Sequence, residues 1–190
     1  MMIRLNKDIQ GSILDIGGGG EGIIGRLYRE QVTAIDKEQE ELDEAPDCCS
    51  KILMDARSLL FQDNSFDNVT SFYSFMFMLQ EDQERVFDEA ARVIRAGGYM
   101  HIWDAAFHSA YPEPFVAELS IVLGDNLINV SYGIIKNEGQ SSYSIIKPAN
   151  AAGLRLIRSA YTDGHFYLCF MKEAVLSWTS AISGQASPNG

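Results

Sequence analysis

Residues 12–22 read Ser12-Ile13-Leu14-Asp15-Ile16-Gly17-Gly18-Gly19-Gly20-Glu21-Gly22. A short apolar run that ends in glycines, followed by Ile23, Ile24, Leu27 and Tyr28 at helical spacing, predicts a strand, a tight turn and a helix. Glycines at such a turn let the backbone come close to a ligand, and the helix start offers N–H groups without intrahelical partners. Asp36 lies 19 residues beyond Gly17 and directly follows a second predicted strand, Gln31–Ile35. A carboxylate there can accept from both hydroxyls of a ribose. Gly17, Gly19 and Gly22 also satisfy the G-x-G-x-x-G spacing of dinucleotide sites. The turn alone therefore leaves three readings open: a nucleoside-bearing methyl donor, a dinucleotide, or a glycine turn without a ligand.

The alternation of strand and helix continues outward. Glu38–Ala45 reads as a helix, Lys51–Met54 and Phe66–Phe72 as strands, Asp82–Arg95 as an amphipathic helix and Tyr99–Trp103 as a fifth strand. Such alternation implies a parallel sheet covered on both faces, an α/β fold. Beyond residue 104 the pattern changes. Pro112–Leu123 reads as a helix, and the alternating Ile128, Val130, Tyr132 and Ile134, the turn Asn137-Glu138-Gly139 and Gln140–Ile146 read as an inserted hairpin at about 126–147. Leu154–Tyr161 and His165–Met171 flank Thr162-Asp163-Gly164 as a C-terminal hairpin. The chain is expected to be one domain over 1–182, with 183–190, rich in Ser, Gly and Pro, as a mobile tail.

Composition narrows the partners. The 190 residues carry a formal charge of −11, and residues 30–67 hold eleven acids against three bases. A phosphate-binding Lys/Arg footprint is missing, which argues against nucleic acid. Residues 105–190 are near neutral, with six acids and five bases, and give no charge preference for a substrate. Met1–Gln10 has no apolar run and the longest apolar stretch, 66–79, is 14 residues, so neither a leader nor a membrane span is expected. The three cysteines show no disulfide framework and no metal-ligand spacing. The expected compartment is the cytoplasm.

Three further stretches sharpen the reading: Met54-Asp55-Ala56-Arg57 closing the third strand, Ser65-Phe66-Asp67-Asn68-Val69 opening the fourth, and Arg92-Val93-Ile94-Arg95-Ala96-Gly97-Gly98 before the fifth. With Leu14–Gly19 and Asp36 they occur in order over Ile13–Asp104, and in this the sequence resembles the class I S-adenosylmethionine-dependent methyltransferases. The resemblance implies a Rossmann-like seven-stranded sheet, mostly parallel with a C-terminal antiparallel hairpin and helices on both faces. It implies S-adenosylmethionine as cofactor, held by Asp15, Gly17, Gly18, Gly19, Asp36, Lys37, Asp55, Ala56, Ser71 and Phe72, with Asp36 at the ribose and Asp55 at the adenine amine. Two positions depart from the pattern: Glu21 stands where a third glycine is expected, with Gly22 one residue later, and Ala96 replaces a usual proline.

The implied reaction is methyl transfer to a small-molecule acceptor, driven mainly by proximity. Asp104, His108, Tyr111 and Tyr73 are the candidates for an acid or base, at or just beyond strand ends. His101, inside the fifth strand, and His165, opening the last hairpin, read as structural, and Asp67 as a turn residue. The Phe72–Met78 aromatic and methionine stripe reads mostly as core. The inserted hairpin is expected to extend the sheet or serve a homodimer contact rather than act as a lid. A non-catalytic binding module and an NAD(P)-dependent oxidoreductase are the rival readings.

Overall fold

The computed structural model describes residues 1–174, so the tail expected at 183–190 lies outside the described residues. Ten strands and four α-helices follow the chain in this order, with two short 3-10 helices at Arg29–Gln31 and Phe75–Phe77. The first half holds β1 (Met2–Leu5), β2 (Ile13–Ile16), α1 (Ile23–Tyr28), β3 (Val32–Asp36), α2 (Gln39–Glu44), β4 (Ser50–Leu53), β5 (Phe66–Phe72) and α3 (Gln80–Val93). The second half holds β6 (Ile94–Ala105), β7 (Ala110–Leu123), β8 (Asn126–Lys136), α4 (Ser142–Ala151), β9 (Leu154–Thr162) and β10 (His165–Lys172).

Seven strands form the main sheet in the order β4-β3-β2-β5-β6-β10-β9, and only β10 runs against its neighbours. The strand order reverses direction between β2 and β5, the place where open α/β sheets bind ligands beyond their carboxyl ends. On one face Val86, Phe87 and Ala90 of α3 and Ile145 and Ala149 of α4 bury Leu14, Val69, Met100, Ile102 and Leu168. On the other face α1 and a small three-stranded sheet cover Ile13, Val32, Ala34 and Phe72. Arg92 ties α3 to the loop before β5: its guanidinium donates to the carbonyls of Leu59 and Phe61 and pairs with Glu89 and Asp63. Arg92→Ala leaves those carbonyls without their donor and is expected to lower the melting temperature by about 3–8 °C, read by differential scanning calorimetry.

The region beyond residue 104 differs from expectation in three ways. Pro112–Leu123 is not a helix but most of β7, because Phe115, Ala117, Leu119, Ile121 and Leu123 face inward at every second residue, the period of a strand. Gln140–Ile146 is not a strand. Ser141 caps α4 through a reciprocal pair with Ser144, and Ile145 and Ala149 then fall on one helix face. The hairpin is thus β7–β8, turning at Gly124-Asp125, and residues 126–147 divide between its second arm and α4. Nor does it extend the main sheet. With β1, which pairs in parallel along β7 from Met2↔Ser120 to Leu5↔Leu123, it forms a separate sheet in the order β1-β7-β8.

Candidate functional site

The carboxyl ends of β2, β3 and β5 open onto a cleft of about 600 Å³. Its floor is the glycine turn. β2 is wholly buried, so the chain leaves the sheet at Gly17 from a fixed point, with φ 69° there and φ 55° at Gly22, the cap of α1. Both angles lie where a side chain is strained, which explains Gly22 one residue after the expected place. The amides of Gly17 and Gly18 both donate to the Ile35 carbonyl, which fastens the turn to the end of β3. Space at the next two positions is closed. A Cβ on Gly18 would stand 2.6 Å from an Asp15 carboxyl oxygen, and one on Gly19 would stand 2.6 Å from the Glu41 Cβ and 2.9 Å from an Asp36 oxygen.

Asp15 is 2% exposed and accepts a hydrogen bond from the Thr70 hydroxyl at 2.7 Å. Burial, reinforced by Asp36, pushes its carboxyl up to about 7, although the Thr70 bond works the other way. Asp36 ends β3 half-buried and accepts from the Glu38 amide at 3.1 Å. Lys37 beside it is exposed and lies 3.8 Å from Glu38. Asp55 is gripped by Arg57, whose Nη2 donates to it at 2.6 Å and whose other terminal nitrogen reaches Asp82 at 2.9 Å. The Arg57 hydrogen bonds hold the Asp55 carboxyl below the usual carboxylate range. Ala56, Phe72, Met78 and Val86 supply apolar wall.

Over the turn lies Tyr132 from β8, stacked on Tyr73 with ring centres 5.3 Å apart and planes 15° from parallel. Tyr73 has φ 53°, a strained value for a bulky side chain, is 2% exposed, and shares a 2.7 Å hydrogen bond with Nδ1 of His165. Burial pushes the Tyr73 and Tyr132 hydroxyls far up, and pushes the His165 imidazole below its usual range.

The sequence-derived residues divide clearly. Asp15, Gly17, Gly18, Gly19, Asp36, Lys37, Asp55, Ala56, Phe72 and Tyr73 all line the cleft. Ser71 does not: it is fully buried and shares its sheet face with Val69, under α3, one residue out of phase with Phe72. Asp104 also points away. Its carboxyl is fully buried and accepts from the amides of Met76 and Ala105 and from Gln140. Burial pushes it up to about 7. His108 and Tyr111 are exposed and line no part of this cleft. Asp67 is not a turn residue but the second residue of β5, and it accepts from the Ser12 amide and hydroxyl at 2.8 Å. His101 is packed, at 9% exposure. Tyr132 and Glu41 were not anticipated. The alternation around Tyr132 marks it as a strand residue, but the sequence reads its partner strand β7 as a helix, which leaves the side of the strand that faces the cleft unassigned.

Comparison with known proteins agrees with this geometry. Residues 14–102 match the family model of a methyltransferase domain. Among solved structures, the PH0226 protein of Pyrococcus horikoshii superposes with a TM-score of 0.65 at 15% identity, covering 88% of this chain and 85% of that one. An S-adenosylmethionine-dependent methyltransferase of Methanosarcina mazei gives 0.62 at 17%, covering 87% and 94%. The [4+2]-cyclase SpnF gives 0.60 at 18%, covering 87% and 76%. No curated protein matches the sequence. The family model over residues 14–102 is that of a methyltransferase domain, and these solved structures share the fold of this chain.

Proposed function

We propose that the cleft binds S-adenosylmethionine and that the protein transfers its methyl group to a small-molecule acceptor. The observation that carries this is the charge of the cleft beside its closed glycine floor. Seven carboxylates and two cations line it, which suits a ligand bearing a sulfonium and an ammonium. Asp36, at the end of β3, is placed for ribose hydroxyls. Asp55, one strand further, is placed for the adenine amine once it shares its charge with Arg57. Asp15, buried behind Gly18, is the nearest carboxyl to the turn and receives the ammonium end through its neighbours.

When bound, the cofactor supplies an electrophilic methyl group, so the protein's task is to position and to exclude water. Tyr132 and Tyr73 shield the turn from the roof side, and Met78 and Phe72 dry the wall. Of the expected acid–base candidates only Tyr73 reaches the cleft. That favours transfer by proximity, and it also gives weight to a second reading, a module that binds the cofactor without transfer. A cyclase on the same fold illustrates that fold alone does not decide chemistry.

Isothermal calorimetry with S-adenosylmethionine, S-adenosylhomocysteine and NADH tests the proposal. Binding of the two S-adenosyl compounds with no heat from NADH is expected, and preference for NADH would overturn it. No helix among the described residues is long and apolar enough to cross a membrane. A cytoplasmic enzyme without nucleic-acid partners, active as a monomer or homodimer, is the setting we propose.

A further inference from the structure

Cys48 and Cys49 lie in the bend that joins α2 to β4. Neighbouring side chains in an extended chain point to opposite sides, but these two do not. The Cys48 amide donates to the Pro46 carbonyl at 2.8 Å, which turns the chain, and both sulfurs rest against one residue of α1, Gly25. A Cβ at Gly25 would stand 2.8 Å from the Cys49 Sγ and 3.5 Å from the Cys48 Sγ. Glycine weakens a helix, and at this buried position its missing side chain makes the room that the two thiols fill.

The pair is set apart from the third thiol and tied to the cleft. Cys169 is buried on β10, five strands across the main sheet from β4, or about 24 Å, whereas Cys48 and Cys49 are partly exposed. Burial, with Cys48 and Asp15 adding to it, pushes the Cys49 thiol up to about 11, so it keeps its proton at neutral pH. Lys51 braces the loop, donating to the Ala45 carbonyl at 2.8 Å and pairing with Asp47 at 2.7 Å. The same loop leans on the glycine turn. The Pro46 Cδ lies 3.2 Å from where a Cβ on Gly22 would stand, and the Glu41 carbonyl of α2 accepts from the Gly20 amide at 2.7 Å. Gly20 and Gly22 both line the cleft.

We propose that Cys48 and Cys49 are an oxidation site, a dithiol that a small-molecule disulfide closes into a bond between neighbours, and that closure disturbs the glycine turn. The closure stands by itself, and its effect on an S-adenosyl ligand rests on the methyltransferase reading above. In the first step the Cys48 sulfur attacks one sulfur of the small disulfide, which leaves a mixed disulfide on Cys48 and releases one small thiol. In the second the Cys49 sulfur attacks the Cys48 sulfur, and the second small thiol departs with the Cys49 proton. Two protein thiols are oxidised and one small disulfide is reduced to two thiols. Drawing the sulfurs to about 2 Å closes a small ring around the peptide bond between them. That twists the bend, which carries the change through Pro46 to Gly22. A strained bond of this kind is readily reduced again, which suits a transient, sensing role.

Equilibration of the full chain with oxidised and reduced glutathione tests this. With the oxidised form in excess, mass spectrometry of a tryptic digest should show the peptide 38–51 lacking two hydrogens. Cys48→Ser and Cys49→Ser should each abolish that loss, and Cys169→Ser should not. Calorimetry on the closed form should give S-adenosylhomocysteine a dissociation constant higher by about fivefold or more, restored on reduction and unmoved by the same treatment of the double variant Cys48→Ser/Cys49→Ser. A glutathione adduct that persists on Cys48, a disulfide between two chains, or thiols that stay unreacted overturns the oxidation site. An unchanged dissociation constant in the closed form overturns its effect on the turn. If the reduced protein binds no S-adenosyl compound, the methyltransferase reading and that effect fall together, while the mass result still decides the oxidation site.

Discussion

Asp36→Ala is expected to raise the dissociation constant for S-adenosylmethionine at least tenfold, with the fold intact. A hydrogen bond to a charged acceptor contributes about 1.5–3 kcal/mol, and tenfold corresponds to about 1.4 kcal/mol. The carboxylate sits half-buried at the end of β3, and its recorded protein partner is the Glu38 amide, so alanine removes little that the sheet depends on. Melting curves without ligand should therefore nearly coincide, while calorimetric titrations separate. An unchanged dissociation constant would mean that the ribose is held elsewhere and that Asp36 is a surface acid.

The second large effect is on stability against pH. Asp15 and Asp104 are both fully buried carboxyls whose ionisation is delayed to about 7. Each folded-state value lies above the usual 3.8, so between the two the folded protein holds protons that the unfolded chain has released. Stability from these groups is complete below about 4 and is lost as pH rises through 7, by up to a few kcal/mol each. Carboxylates such as Asp55, Asp67 and Glu89, held below their usual range, work in the opposite sense, but only at strongly acidic pH. Thermal melts at pH 5.5 and 8.5 should show the higher melting temperature at pH 5.5, and Asp15→Asn should narrow the gap. A flat profile, or an Asp15→Asn protein that melts lower at pH 8.5, would refute the assignment. A cationic ligand beside Asp15 favours its charged form, so S-adenosylmethionine should bind more tightly as pH rises through 7. The two predictions are linked, because Asp36→Ala also removes a charge that helps keep Asp15 protonated.

The half of the chain that lines the cleft is legible because its signals are local. Gly17, Asp36 and Asp55 stand at strand ends, and strand ends in a parallel sheet share one edge, so spacing along the chain predicts neighbourhood in space. Beyond Asp104 the signals cease to be local. Pro112 and Pro114 interrupt the alternation that would have marked β7, and the buried series begins only at Phe115. The run Gln140–Ile146 carries a Ser-Ser-Tyr-Ser cluster that suits a strand by composition and a helix cap by geometry, and the reciprocal Ser141–Ser144 bonds decide for the cap. Ser71 shows the same limit at one-residue scale: the sequence places it at a strand end but does not say which side of the sheet it faces. The sequence places Asp104 as a strand-end acid, yet Gln140, 36 residues away, claims it.

The pairing of Met2–Leu5 with Ser120–Leu123 has a consequence in time rather than in space. Contacts separated by more than a hundred residues form late, since a long chain must close on itself before they are rewarded. While the protein is being synthesised, the glycine turn and the strands around it emerge and can fold first, and Tyr132 arrives afterwards. The first residues must then wait, unpaired, for their partner strand. The cleft is therefore expected to gain its roof as one of the last events of folding, and until then its floor stands open to solvent.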